Sequence, residues 1–444
     1  MENDRKASLS NGELTLAIAI FVVAALLRMW WNDIPRYSPA DEAMYSDTTR
    51  HLVQGGFFGA YAEVTASFIR DPRMAVYPSP LRYGYYALTT VTAHVTGSAE
   101  PHTLAILSTL CGILMVPLVF FLTLRLFRTR TAMLAAAFTA FSCIELALGR
   151  RALQDEVVCF VVFLALAMLL LVLERDEGRV KGRMALQCGA IAAMTLAFAI
   201  KESFLLLYPA LLAVLFVYRK PRQLRLRHAL LFLVPPLLYY LGFCALAHDF
   251  TSFFSIGKMI TSAMAAPYVM QYQAGPPHRP MFDFFITAPL VSILAIGAVA
   301  LVALDRTSGR RERALVLFLV LALVVFGLLP SKNLRFTIVI DPVVRLLAAW
   351  LIATRGLTVR TLVAFAAASA VIELELFYTV FARGGVYDPV TQTLLQALGS
   401  LPHTDVTATG HMFYPWICAA IFGAVWLWPR LFAHSQPSPL QHKR

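Results

Sequence analysis

The chain has 444 residues, 59% of them hydrophobic and 14% charged, with a mean hydropathy of +0.67. A water-soluble protein of that size needs far more polar residues to cover its surface, so composition excludes one and predicts an all-α, polytopic membrane protein. The net charge of +12 does not point to nucleic acid, because the basic residues sit in short loops between apolar runs, where they set orientation and meet anionic lipid.

The first apolar run, 14–31, is not followed by a small-residue cleavage site and reads as an uncleaved anchor rather than a removable signal. About twelve spans are expected in all, each near the ~20 residues a bilayer requires. After the first they are 104–126, 131–149, 155–173, 184–200, 203–218, 229–247, 283–304, 314–330, 336–354, 359–381 and 413–432. With the N-terminus inside, the loops ERDEGRVKGR, RKPRQLRLR, DRTSGRRER and TRGLTVR fall on the cytoplasmic side, as the positive-inside rule requires. Three long segments then lie outside: 32–103, 248–282 and 382–412. The spans leave no room for a separate soluble domain. We expect a transmembrane module over 1–355, C-terminal membrane helices with their outer loop over 356–432, and a cytoplasmic tail at 433–444. Within the first outer loop, 41–54 and 80–95 carry helical patterns but are too polar or too short to span; the aromatic-rich PLRYGYYALTTVTAHV suits a headgroup boundary. All 6 cysteines lie in apolar runs and read as small core residues rather than disulfide or zinc partners.

The stretch 38–61, SPADEAMYSDTTRHLVQGGFFGAY, is polar and acidic at its start in a chain that is otherwise nearly all membrane. Ser38-Pro39-Ala40-Asp41 has the spacing of a capping box with proline at the first helical position, and capping alone would account for Asp41. Its company argues for chemistry: Glu42 is adjacent, Tyr45 lies one turn on, and Arg50 follows on the same short helix. GRRALQDE, at a span boundary, adds Arg151, Asp155 and Glu156, and AFAIKESFLLLYP adds Lys201 between two apolar runs. Interfacial anchoring or a tight hairpin turn would explain these too, but ionisable groups at membrane depth are costly and default to function. His278, Arg279, Lys332 and Arg335 sit outside against the positive-inside trend, so topology gains nothing from them. A phosphate held at that face would need them, since guanidinium and ammonium groups are suited to clamp it.

Taken together, DEAMYSDTTRHLVQGG after one span, VYPSPLRYGYYAL, RRALQDE, AFAIKESFLLLYP, PPHRP and SKNLRFTIVIDP follow one another in the order seen in the superfamily C glycosyltransferases. The sequence resembles the branch (glycosyltransferase family 39-like) that holds protein O-mannosyltransferases and the lipid A aminoarabinose transferase, over roughly 14–355. The resemblance implies the GT-C fold and transfer of a sugar from a polyprenyl-phosphate donor to a lipid, glycan or protein hydroxyl on the extracytoplasmic face, with inversion. It implies Asp41 as general base with Glu42 beside it, Asp155 as the second acidic position, and Lys201, Arg279, Lys332 and Arg335 around the donor phosphate, with Tyr45, Arg50, Arg151, Glu156 and His278 as further substrate-binding candidates. The chemistry fits: a sugar hydroxyl is a poor nucleophile, and a carboxylate must take its proton as attack develops.

Two departures stand out. Tyr77 precedes Pro78 where the family often has a lysine, and Glu202 follows Lys201 where the family has glycine, making Glu202 a candidate partner for Lys201. No cofactor is expected with certainty; some relatives in the wider superfamily need a divalent cation, whereas these outer loops offer carboxylates without a His/Asp cluster of metal-ligand spacing. Membrane lipids are expected partners and nucleic acid is not. Arginine over lysine and abundant alanine point to a GC-rich bacterial source; with the topology above, the resemblance then implies a bacterial inner membrane with the site facing the periplasm. The rival reading is a lipid-linked sugar flippase or secondary transporter, which should show an internal repeat and charged sites near the bilayer midplane; the sequence has neither.

Overall fold

Backbone polar groups have no water to bond in a bilayer, so each apolar run must close its own hydrogen bonds as a helix. The computed structural model, described over residues 9–30, 40–175, 182–219, 226–263, 275–305, 308–355 and 357–378, is helical throughout, with no strand among those residues. In chain order the helices are α1 (Asn11–Trp30), α2 (Ala40–Gly55), α3 (Phe57–Arg70), α4 (Tyr83–Thr96), α5 (Pro101–Leu126), α6 (Thr129–Ala140), α7 (Cys143–Leu148), α8 (Gln154–Arg175) and α9 (Arg183–Ile200). They continue with α10 (Phe204–Tyr218), α11 (Leu226–Ala247), α12 (Ser252–Ala263), α13 (Arg279–Thr287), α14 (Pro289–Leu304), α15 (Arg310–Leu328), α16 (Leu334–Thr337), α17 (Asp341–Ala353) and α18 (Val359–Leu376). Short 3-10 turns occupy Pro72–Val76, Pro80–Arg82 and Ile338–Ile340.

Among the described residues, five stretches are long and apolar enough to cross a bilayer: Asn11–Trp30, Pro101–Leu126, Gln154–Glu174, His228–Ala247 and Leu334–Ala353. This is an integral membrane protein. As far as they are described, the predicted runs up to the one starting at 359 fall on helices, but three are broken, 336–354 by the 3-10 turn between α16 and α17. The expected span 131–149 is α6 plus α7, divided where the Ser142 hydroxyl accepts from the Glu145 N–H and caps α7. The span 283–304 divides at Ala288, because Pro289 cannot continue the preceding helix and instead opens α14. The run 413–432, the loop 382–412, the tail 433–444 and Cys418 lie outside the described residues, as do Ser38 and Pro39 of the expected capping box. In the first outer loop the two expected helices are present as α2 and α4, and α3 joins them. Gly56, at φ +75°, lets α3 start directly after α2.

α8 and the Leu334–Ala353 stretch form the interior, with 78% and 89% of their apolar windows buried, whereas α1 is 17% buried and faces lipid. Two enclosed arginines tie the bundle together. Arg28 of α1 pairs with Glu145 at 2.8 Å and donates to the carbonyls of Thr139 and Ala140. Arg345 of α17 pairs with Asp341 at 2.6 Å and Glu373 at 2.7 Å, and donates to the Phe138 carbonyl at 2.7 Å. These carbonyls end α6, where a helix leaves acceptors without partners and its dipole favours a cation. The Arg345–Glu373 pair also joins α18, the described start of the C-terminal segment, to the rest.

Candidate active site

Four cations meet carboxylates where the start of α2, the turn before α4, the α7–α8 turn, the α9–α10 hairpin and the segment before α17 come together. The first turn of α2 supplies Asp41 and Glu42, with Tyr45 one turn on. Arg335 Nη1 lies 2.7 Å from Asp41 Oδ2 and 3.9 Å from Asp155 Oδ2. Lys201 Nζ lies 2.5 Å from Asp155 Oδ1, and its ammonium also sits 4.6 Å above the Phe336 ring, a cation–π contact. Arg151 Nε donates to Glu42 Oε1 at 2.5 Å. The fourth pair is Arg82 with Glu202, bidentate at 2.7 Å through Nε and through Nη2, while Arg82 Nη1 donates to the Tyr45 hydroxyl at 2.5 Å.

Each cation therefore faces a carboxylate, and exposure differs sharply across the set. Asp155 and Glu42 side chains are 1% and 3% exposed, whereas Asp41 is 45% exposed and stands at the mouth. Burial draws the Lys201 ammonium below its ordinary value, against the upward pull of Asp155. Burial also opposes the charge of Glu202, but the Arg82 guanidinium, a backbone hydrogen bond and Lys201 together hold that carboxyl below the ordinary range. The Tyr45 hydroxyl is pushed well up by its burial. Tyr85 packs edge-on against Tyr45 at 4.8 Å, and its buried hydroxyl has no hydrogen-bond partner among the described residues.

Behind Lys201 an apolar crevice runs down between α8, α10, α15 and the segment before α17. It is narrow and is lined by Val158, Val162, Phe204, Leu207, Phe326 and Val339 with Lys201 at one end. Leu206 also lines it and is 39% exposed, and Leu205 and Leu328 nearby are 56% and 76% exposed, so the crevice borders the surface that meets lipid.

The expected site residues thus divide. Asp41, Glu42, Tyr45, Arg151, Asp155, Lys201 and Arg335 come together. Arg279 is buried next to Asp283 at 3.8 Å, and Lys332 donates to the Leu329 carbonyl at 2.7 Å. Burial, reinforced by the Arg279 charge, lowers the Lys332 ammonium from its ordinary value. His278 stands at the N-cap of α13. Arg50 lies apart, 43% exposed and paired with Asp47 and Glu100. Glu156 points the other way from Asp155, toward α1 and α5: a Cβ on Gly112 would sit 2.9 Å from Arg28 Nε and 3.2 Å from Glu156 Oε1. Among the described residues no group of three or more His, Cys, Asp or Glu side chains is arranged to hold a metal ion.

A family model described as dolichyl-phosphate-mannose-protein mannosyltransferase matches residues 83–270, a stretch that carries Asp155, Lys201 and Glu202 but not Asp41 or Arg335. Among solved structures, ArnT from Cupriavidus metallidurans in the apo state superposes with a TM-score of 0.57 at 15% identity, covering 96% of this chain and 74% of that one. The same protein bound to undecaprenyl phosphate gives 0.53 at 18% identity, covering 95% and 79%. The fold is that of the superfamily C glycosyltransferases. The oligosaccharyltransferase of Archaeoglobus fulgidus, tethered with an acceptor peptide, also matches, with a TM-score of 0.54 at 16% identity; the match covers 84% of this chain and 55% of that longer one. Comparison with curated protein sequences gave no match.

Within this fold, sequence reasoning missed Arg82 and mispaired Glu202. Lys201 turns to Asp155 and leaves Glu202 to Arg82, because the two hairpin side chains leave the backbone in different directions. The signal for Arg82 was available: it is one more basic residue in a segment expected outside, inside the aromatic motif PLRYGYYAL.

Proposed function

We propose that the protein transfers a sugar from a polyprenyl-phosphate donor to a lipid, glycan or protein hydroxyl, on the extracytoplasmic face of a bacterial inner membrane, with inversion at the anomeric carbon. The observation that carries this reading is the placement of Lys201. Its ammonium closes one end of an apolar crevice bordering lipid and meets, through Asp155 and Arg335, the exposed carboxylate of Asp41. A ligand with an isoprenoid tail and an anionic head suits such a crevice, the tail replacing lipid contacts and the head meeting fixed cations. Solved relatives carry undecaprenyl phosphate and dolichol phosphate, which supports the same class of donor.

In this reading Asp41 accepts the proton of the acceptor hydroxyl as its oxygen bonds to the anomeric carbon. The bond from that carbon to the phosphate oxygen breaks on the opposite face, and its electron pair leaves with the phosphate. Lys201 and Arg335 stabilise the departing charge without having to reorganise, which is where a buried cation is most effective. Asp155 orients Lys201, and Glu42, held by Arg151, fixes the first turn of α2. Arg279, Lys332 and His278 line the approach to the phosphate, and Arg50 and Glu156 act outside the reacting centre. The membrane module 1–355 carries this chemistry.

The test is donor consumption by purified protein in lipid, with a panel of polyprenyl-phosphate sugars and envelope extract as acceptor. One donor consumed with release of polyprenyl phosphate is the expected result. No consumption of any donor, together with donor-stimulated movement of labelled lipid-linked sugar across vesicles, would instead establish a flippase.

A further inference from the structure

One guanidinium ties together the three segments that have to be in register for this transfer. Arg82, in the turn before α4, donates through Nε and Nη2 to the two carboxylate oxygens of Glu202, on the hairpin that carries Lys201. Through Nη1 it donates to Tyr45, one turn along α2 from Asp41. A bidentate guanidinium–carboxylate pair fixes angle as well as distance, which a lysine cannot do.

The turn holding Arg82 is itself clamped. The Tyr86 hydroxyl donates to the Pro78 carbonyl at 3.1 Å, Tyr61 to the Pro80 carbonyl, and Tyr239 to the Leu81 carbonyl at 3.2 Å. Next to it α4 meets α9 without side chains between: a Cβ on Gly84 would lie 2.7 Å from that of Ala199, two residues before Lys201. Tyr45 in turn packs between Tyr85 and Tyr86, at 4.8 and 5.8 Å. The turn is thus rigid, and Arg82 is the strut that carries its position to both α2 and the hairpin.

We infer that Arg82 and Glu202 are positioning residues that set the separation between the base on α2 and the phosphate-binding lysine on the hairpin. The inference rests on the transfer reading given above. Each of the three nitrogens of Arg82 donates to Glu202 or Tyr45, and we assign Arg82 the tie between those segments rather than contact with the donor. A shift of about 1 Å between reacting groups lowers rates on the order of 10²-fold, so loss of the strut should appear in kcat.

Two measurements separate this from a merely structural role. In the first, donor turnover is followed for Arg82→Lys, Arg82→Glu, Glu202→Arg and the double swap Arg82→Glu/Glu202→Arg, with thermal unfolding of each. The expected result is Arg82→Lys with wild-type unfolding temperature and donor KM but kcat lower by on the order of 10²-fold, and a double swap at least tenfold faster than either single reversal. An unchanged kcat in folded Arg82→Lys, or a double swap no better than the singles, overturns the inference. The second needs no turnover: spin labels at Asp47 and Leu205, with the exposed Cys188 changed to Ser, report the distance between α2 and the hairpin. Arg82→Lys should broaden that distribution. An unchanged distribution overturns the inference even if the protein proves to be no transferase, and a broadened one in a protein that consumes no donor faults only the transfer reading.

Discussion

At the helix ends, Asp41 is 45% exposed where it meets Arg335, whereas Arg345, Asp341 and Glu373 inside the bundle are exposed by no more than 1%. Both sets join distant parts of the chain through guanidinium–carboxylate pairs. They differ in what else the cation holds. Arg28 and Arg345 also take the carbonyls that end α6, so their positive charge completes a broken helix in a medium without water. Arg335 meets Asp41, and Lys201 meets Asp155 and the face of Phe336, so these cations face carboxylates at the helix ends. The inner set is a joint, and the outer set is the one we propose as the site.

The largest effect expected in separating them is on chemistry alone. Asp41→Asn should leave unfolding temperature near wild type, because the Arg335 pair it breaks is half exposed on the Asp41 side, and should cut transfer by roughly 10²- to 10⁴-fold. Transfer within a few fold of wild type would remove Asp41 as base. Arg345→Met should do the reverse in kind. It leaves Asp341 and Glu373 buried without their cation, which costs about 3–5 kcal/mol, read as a loss of folded protein in thermal unfolding rather than as a slower turnover per folded molecule. A wild-type unfolding temperature would show that the inner pairs do not hold the bundle.

A smaller effect follows from acid. The folded-state value of Glu202 lies below its ordinary 4.5, so the Arg82 pair contributes fully above 4.5 and is lost as pH falls through the lower folded value. Unfolding temperature plotted against pH should therefore fall less steeply below 4.5 in Glu202→Gln than in wild type. Parallel curves would mean that the pair contributes nothing. Smallest of all is Arg50→Ala, which breaks only exposed pairs and should change stability by less than about 1 kcal/mol. It should leave transfer unchanged; a tenfold loss would bring Arg50 back to the site.

The sequence itself determined the class of the protein and most of its helices, because apolar length and the need to satisfy backbone groups in lipid act locally and can be read along the chain. Acids and bases crowded at span boundaries marked Asp41, Glu42, Asp155, Lys201 and Arg335 for the same reason: charge is expensive there and needs a cause. Partnership was not legible. Arg335 reaches back 294 residues to Asp41, and Arg82 reaches forward 120 to Glu202 past the adjacent Lys201. Asp155 and Glu156 are neighbours in sequence, yet one turns to the site and the other to Arg28, because successive helical side chains point about 100° apart. Only the packing of α8 against helices on both sides decided which of the two would meet the chemistry.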